Sequence, residues 1–135
     1  MSEINEVSDS ELKKVIADFL EMGHVENIVS MFAKEPLYLE WTGEILQDER
    51  FNVRLGLTIL FEELQTLGVN GISRAIPSLK PLLDHESSLI RGEAIGILGI
   101  IATDEAIQLI KSKQNDSNSQ VREMVTLVLE EQIKR

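Results

Sequence analysis

The chain has 135 residues, no cysteine, and 23 acidic against 13 basic side chains, a formal charge of −10. That length suits one domain burying roughly two-thirds of its unfolded surface, and the missing cysteines exclude disulfides, thiolate catalysis and cysteine-held zinc or iron–sulfur centres, as suits a reducing cytoplasm. The acid excess, 14 to 5 over residues 1–67 but 9 to 8 over 68–135, disfavours nucleic acid and anionic membrane and favours basic partners.

Apolar residues recur at three- and four-residue steps almost throughout and strict alternation is missing, so the chain reads as all-α, with eight helices. The opening "MSEINEVSDSELKK" has no basic start leading into an apolar run, which speaks against a secretory leader. "SDSELKKVIADFLEMG" gives the first helix, with a capping box from Ser8 to Glu11 and a break at Gly23 before the second, "HVENIVSMFAK". Pro36 suits the first helical position of the third, "PLYLEWTGEILQ". The fourth, "FNVRLGLTILFEELQTL", stops at Gly68, and "GVNG" turns the chain into the fifth, "ISRAIPSLKPLLDH". There Pro77 and Pro81 predict a bend or a start delayed to Ile76 or Pro77. The sixth, "SSLIRGEAIGILGIIA", contains the longest run of glycine and apolar residues, nine over 94–102, short of the ~20 that cross a bilayer. The seventh, "DEAIQLIKSK", and the eighth, "SQVREMVTLVLEEQIK", flank the turn "QNDSNS", where Asp116, Ser117 or Asn118 can cap.

These helices superpose on one another. Val53-Arg54, Ile90-Arg91 and Val121-Arg122 each open the second helix of a pair, with the arginines 37 and 31 residues apart. The same superposition matches Leu57 with Ala94 and Val125, Phe61 with Leu98 and Leu129, and Leu39 with Ile76 and Ile107, while Asp48, Asp84 and Asp116 precede their arginines by six or seven residues. A two-helix repeat of this length implies a solenoid in which each unit buries its apolar face on its neighbours.

The turn aspartate, the valine-arginine step and the small or apolar residues at four-residue intervals resemble HEAT repeats, in particular the short bacterial HEAT-like type first recognised in phycobilin lyases. The resemblance implies a right-handed α-solenoid (α-α superhelix) of about four helix pairs in one domain over 1–135. Repeats are expected over 36–68, 72–102 and 103–133, and residues 1–35 lack the valine-arginine step and read as a degenerate capping pair. It also implies a ladder between neighbouring units built from Asp48, Asp84, Asp116, Arg54, Arg91 and Arg122. On that reading Arg91 is structural, and Gly92, Gly96 and Gly99 let adjacent helices approach closely.

Reactive chemistry is sparse. His24 and His85 fall in turns about sixty residues apart without a second histidine at metal-ligand spacing. Glu62-Glu63 and Glu130-Glu131 are adjacent pairs that diverge on a helix. "GEAIGILG" lacks the preceding strand and the lysine of a phosphate loop. No catalytic residue, cofactor or metal is expected.

Two surfaces remain as candidates for binding. Tyr38 and Trp41, three apart on one helix, are either junction core or exposed anchors. Along the inner face of the second helices Thr58, Ile95 and Thr126 align, as do Glu62, Gly99 and Glu130. If the glycines and Ile95 are open there, they form a shallow groove bordered by acids that suits a basic peptide or helix. The expected function is a non-catalytic protein-interaction scaffold or adaptor in the cytoplasm. Two alternatives rest on family analogy: a bilin chromophore lyase or its accessory, and a DNA glycosylase-like solenoid, which the acidic charge disfavours.

Overall fold

A computed structural model describes residues 8–134; the first seven residues of the expected capping pair, which are half of the stretch read for a leader, lie outside it. α1 (Asp9–Glu21) starts from the expected box: Glu11 N–H donates to Ser8 Oγ at 3.1 Å, and the Ser8 N–H donates to Glu11 Oε1 at 3.3 Å. Gly23, at φ 85°, takes the left-handed conformation that turns the chain into α2 (Val25–Lys34).

The third helix is not continuous from Pro36. Residues Pro36–Trp41 wind as a 3-10 helix, and only α3 (Thr42–Leu46) is α-helical. The tighter winding has three residues per turn, which eclipses positions three apart. Tyr38 and Trp41 are thereby brought into contact, with ring centroids 5.1 Å apart and planes tilted by 44°.

α4 (Phe51–Thr66) is followed by left-handed Gly68 and Gly71. The proline segment then behaves as its composition predicts. A 3-10 stretch over Ile72–Ala75 precedes α5 (Ile76–Leu79), with Pro77 in the first turn where its missing N–H costs nothing, and Pro81 starts a second 3-10 stretch within Lys80–Asp84.

α6 (Ser88–Ile101) is capped by Ser87 and ends at Ala102 with φ 57°. α7 (Asp104–Lys111) is capped by Thr103. α8 (Ser119–Lys134) begins at Asn118, whose Oδ1 accepts from the N–H groups of Gln120 and Val121 at 2.8 and 3.2 Å, so Asn118 is the cap among the three candidates.

The described residues contain helices and turns, and the pairs stack as an all-α solenoid in which α4 packs on α1, α2 and α6, and α6 on α4 and α8. The core follows the repeat superposition. Val53, Ile90 and Val121 are buried, as are Leu57, Ala94 and Val125. Phe61 and Leu98 are buried while Leu129, in the terminal helix, is half-covered.

Candidate interaction surface

Each repeat arginine first closes its own turn. Arg54 Nη1 donates to Asp48 O and Glu49 O, both at 2.9 Å; Arg91 Nη1 donates to His85 O at 2.8 Å; Arg122 Nη1 donates to Asp116 O at 2.7 Å. The acceptor lies six residues back in all three, which makes His85, not Asp84, the structural counterpart of Asp48 and Asp116. The side chains agree. Asp48 Oδ1 accepts from Arg50 N–H, His85 Nδ1 from Ser87 N–H and Asp116 Oδ1 from Asn118 N–H, each at 2.9 Å and two residues on. Asp84 points outward, 86% exposed, with its carboxylate 3.4 Å from Lys113 Nζ. The aspartate expected in the ladder is therefore off it by one position.

The ladder itself takes three forms. Between the last two units Arg91 is bidentate on Asp116, Nε and Nη2 each 3.0 Å from one carboxylate oxygen, and the Asp116 side chain is only 3% exposed. Those bonds hold the Asp116 carboxyl below its ordinary value. One unit earlier the turn offers an imidazole, and Arg54 reaches past it to Glu93 on α6, Nε to Oε1 at 2.7 Å. The pair is close but poorly aligned, and neither atom has a hydrogen-bond partner. Burial pushes the Glu93 carboxyl up and Arg54 only partly offsets it. At the first junction, where the opening pair has no equivalent arginine, Arg50 binds Asp48 and reaches back to Asp18 at 2.9 Å and Glu21 at 2.8 Å on α1. The bonds that Arg50 donates, chiefly to Asp48, hold Arg50 protonated and lower Asp48.

The glycines divide by what faces them. A Cβ on Gly99 would strike Val128, and one on Gly43 would strike the Ser78 carbonyl, whose hydroxyl accepts from Gly43 N–H at 2.8 Å. A Cβ on Gly92 or Gly96 would meet nothing within 4 Å. The expectation that Gly92 and Gly96 bring helices together is thus corrected: both are half-buried, yet no neighbouring atom stands where their Cβ would be, and they leave a shallow trough on α6 beside α8.

Beside that trough α4 exposes Phe51, Leu55 and Ile59, four residues apart, at positions matched by Ser88, Gly92 and Gly96 on α6. Glu62 and Glu130 are exposed at the borders. A hollow of about 260 Å³ lies between Glu62, Gly96, Gly99, Val128 and Gln132. Ile95 is fully buried, a correction to its place in the groove; an apolar side chain on a helix packed from both sides is turned into the core. Thr58 and Thr126 donate their hydroxyls to Arg54 O and Arg122 O, so neither is committed to the other units.

Tyr38 and Trp41 lie elsewhere, half-buried at the junction of α1 and α3. Tyr38 meets Phe32, and Lys13 Nζ lies 5.1 Å from the Trp41 ring centroid while pairing with Glu44. Sequence reasoning missed one junction device: Gln65 from α4 and Gln132 from α8 donate to Ile100 O and Gly99 O, closing the last turn of α6 from both sides at 2.8 and 3.0 Å. The amides, each in the final turns of a second helix, were the available signal.

Among the described residues no group of three or more histidine or acidic side chains is placed to hold a metal, and no helix is long and apolar enough to cross a membrane.

A stack of two-helix units joined by arginine ladders, with an open face along its second helices, defines a helical-repeat protein. The sequence family described as HEAT repeats matches residues 39–130, and the chain belongs to it. No curated protein and no solved structure matches the chain.

Proposed function

We propose that the chain is a non-catalytic protein-interaction module that binds its partner on the face formed by α4, α6 and α8. HEAT repeats commonly mediate protein–protein interaction, and a repeat surface offers extended area on a rigid support. The observation that carries the reading is the α6 trough: Gly92 and Gly96, with no atom facing their Cβ positions, lie beside an exposed row of Phe51, Leu55 and Ile59. Helical glycine costs roughly 0.5–1 kcal/mol relative to alanine, and no packing here offsets that, which favours a surface kept low for something outside the chain. Glu62, Glu123 and Glu130 around it suit a basic partner and repel a phosphate backbone.

The test is capture from the source lysate with quantitative mass spectrometry, comparing wild type with Gly92→Lys/Gly96→Lys and with Tyr38→Ala/Trp41→Ala. A Cβ at either position meets nothing within 4 Å, and the lysine pair adds bulk and positive charge to the trough. Proteins retained by wild type and by the aromatic variant but lost from the lysine variant support the reading. Identical sets from all three refute it.

A further inference from the structure

A second concavity lies at the other edge of α4, in the corner where α1 turns into α2. It measures about 520 Å³, within the roughly 300–1,000 Å³ range of ligand pockets. Its origin is local. α2 has 10 residues against 16 in α4, and only its first turn, at Val25 and Glu26, reaches the groove. Gly56 is among the lining residues and lets α1 approach α4 closely, since a Cβ there would press on Leu20 at 3.0 Å; the matched positions on α6 and α8 are Glu93 and Met124. Smaller hollows of about 160 and 260 Å³ lie at the matched positions between α6 and α8, and this one differs in its size and in the exposed apolar side chains that line it.

Its walls are apolar and unusually open. Met22 is 60% exposed, Leu55 44% and Ile59 38%. Its charged lining residues are Glu21, Glu26 and Glu63, with no lysine or arginine among them. Glu21 is engaged by Arg50. Glu26 in the first turn of α2 also offsets the positive end of that helix. An apolar floor ringed by carboxylates matches an apolar stripe flanked by cations.

We propose that this groove seats one cationic amphipathic helix of a partner protein, its apolar side chains between Leu55, Ile59 and Met22 and its lysines or arginines against Glu26 and Glu63. Helix-in-groove recognition places such anchors at i, i+3, i+4 and i+7. The proposal rests on the interaction reading above and names the partner chemistry and the part of α4 that receives it.

The probe is a fluorescent peptide of about 14 residues, four helical turns, with leucine at those four spacings and lysine elsewhere. A leucine-scrambled peptide of the same composition and a glutamate-for-lysine peptide are the controls, all read by anisotropy. The full chain is compared with Leu55→Gln/Ile59→Gln, Glu26→Lys/Glu63→Lys and the trough variant Gly92→Lys/Gly96→Lys, each checked for wild-type helicity. Support is a wild-type affinity at least tenfold above both controls, lost at least tenfold in both groove variants and kept within threefold in the trough variant. Equal binding of the scrambled peptide, or groove variants that bind as wild type, overturns the proposal. A wild-type dimer in sedimentation that Leu55→Gln/Ile59→Gln dissolves overturns it also, because the occupant is then a second copy. If the groove variants bind normally while the trough variant loses its captured proteins, the groove fails and the broader interaction reading stands.

Discussion

Asp116→Ala is the sharpest test of the ladder. The substitution removes two charge-assisted hydrogen bonds from Arg91, both 3.0 Å, and the bond from Asn118 N–H that shapes the entry to α8. Charge-assisted bonds contribute roughly 1.5–3 kcal/mol each, and breaking a buried pair by removing one partner costs about 3–5 kcal/mol. Arg91 keeps the carbonyls of His85 and Glu86 at 2.8 and 3.3 Å, so its guanidinium is not stranded and the lower end applies. The expected loss is about 3 kcal/mol from a total of order 5–15 kcal/mol, or about 10 °C in Tm for a chain of this size. Asp84→Ala, an aspartate in the equivalent turn but exposed beside Lys113, should cost under about 0.5 kcal/mol. Urea unfolding followed by circular dichroism measures both, and a cycle with Arg91→Ala should give a coupling of at least ~1.5 kcal/mol. An Asp116→Ala protein within about 1 kcal/mol of wild type would sink the claim that this pair joins the units.

The glycines make opposite predictions by position. Gly92→Ala and Gly96→Ala should each raise stability by about 0.5–1 kcal/mol, whereas Gly99→Ala and Gly43→Ala, which strike Val128 and the Ser78 carbonyl, should each lower it by about 1–3 kcal/mol; equal effects from all four in thermal melts contradict the packing described. Asp48 and Asp116 both titrate below the ordinary 3.8, chiefly through bonds from Arg50 and Arg91. Their folded values are depressed, so their contribution is complete above pH 3.8 and falls away as pH drops through the folded values. Urea midpoints should drop through that acid range, and less steeply in Asp116→Asn; an unchanged slope counts against the ladder. Glu93 has the reverse sign, its folded value raised above 4.5 by burial. Its contribution is present below 4.5 and lost as pH rises through the folded value. Glu93→Gln should therefore be no less stable than wild type at pH 7, and a loss above about 1 kcal/mol would show that Arg54 needs the charge.

What could be read from the chain was whatever depends on local spacing. The superposition on Arg54, Arg91 and Arg122 named the buried positions because each helix shows its apolar stripe at the same phase. Pro77 and Pro81 placed the late start of α5 because a proline's missing N–H is decided within its own turn. What depends on a facing unit was not legible. Gly92 and Gly99 look alike in sequence, yet one has no atom facing its Cβ position and the other lies under Val128. Thr58, Ile95 and Thr126 occupy matched positions but are half-buried, buried and exposed; Thr126 is exposed because α8 has a neighbouring unit on one side only. His85 was hidden for a chemical reason: its Nδ1 accepts the same turn hydrogen bond as an aspartate oxygen, while carrying no carboxylate for the ladder.

That last exchange has a consequence along the stack. With an imidazole in the middle turn, the preceding arginine has no carboxylate at the ladder position and takes Glu93 from α6 instead, in a close pair without an aligned hydrogen bond, and burial pushes that carboxyl up where Asp116 is held down. The junction between α4 and α6 is therefore the electrostatically weaker of the two held by repeat arginines, and it is bordered by the exposed row on α4 and the shallow trough on α6. The stability of a repeat protein is approximately a sum over its units and the junctions between them. Of the departures here, His85, Glu93, Gly92 and Gly96 lie on or just before α6 and the short α2 packs on α4. The irregular α6 thus packs directly on α4, which carries the exposed row of Phe51, Leu55 and Ile59, and both candidate binding surfaces include Leu55 and Ile59 of that row.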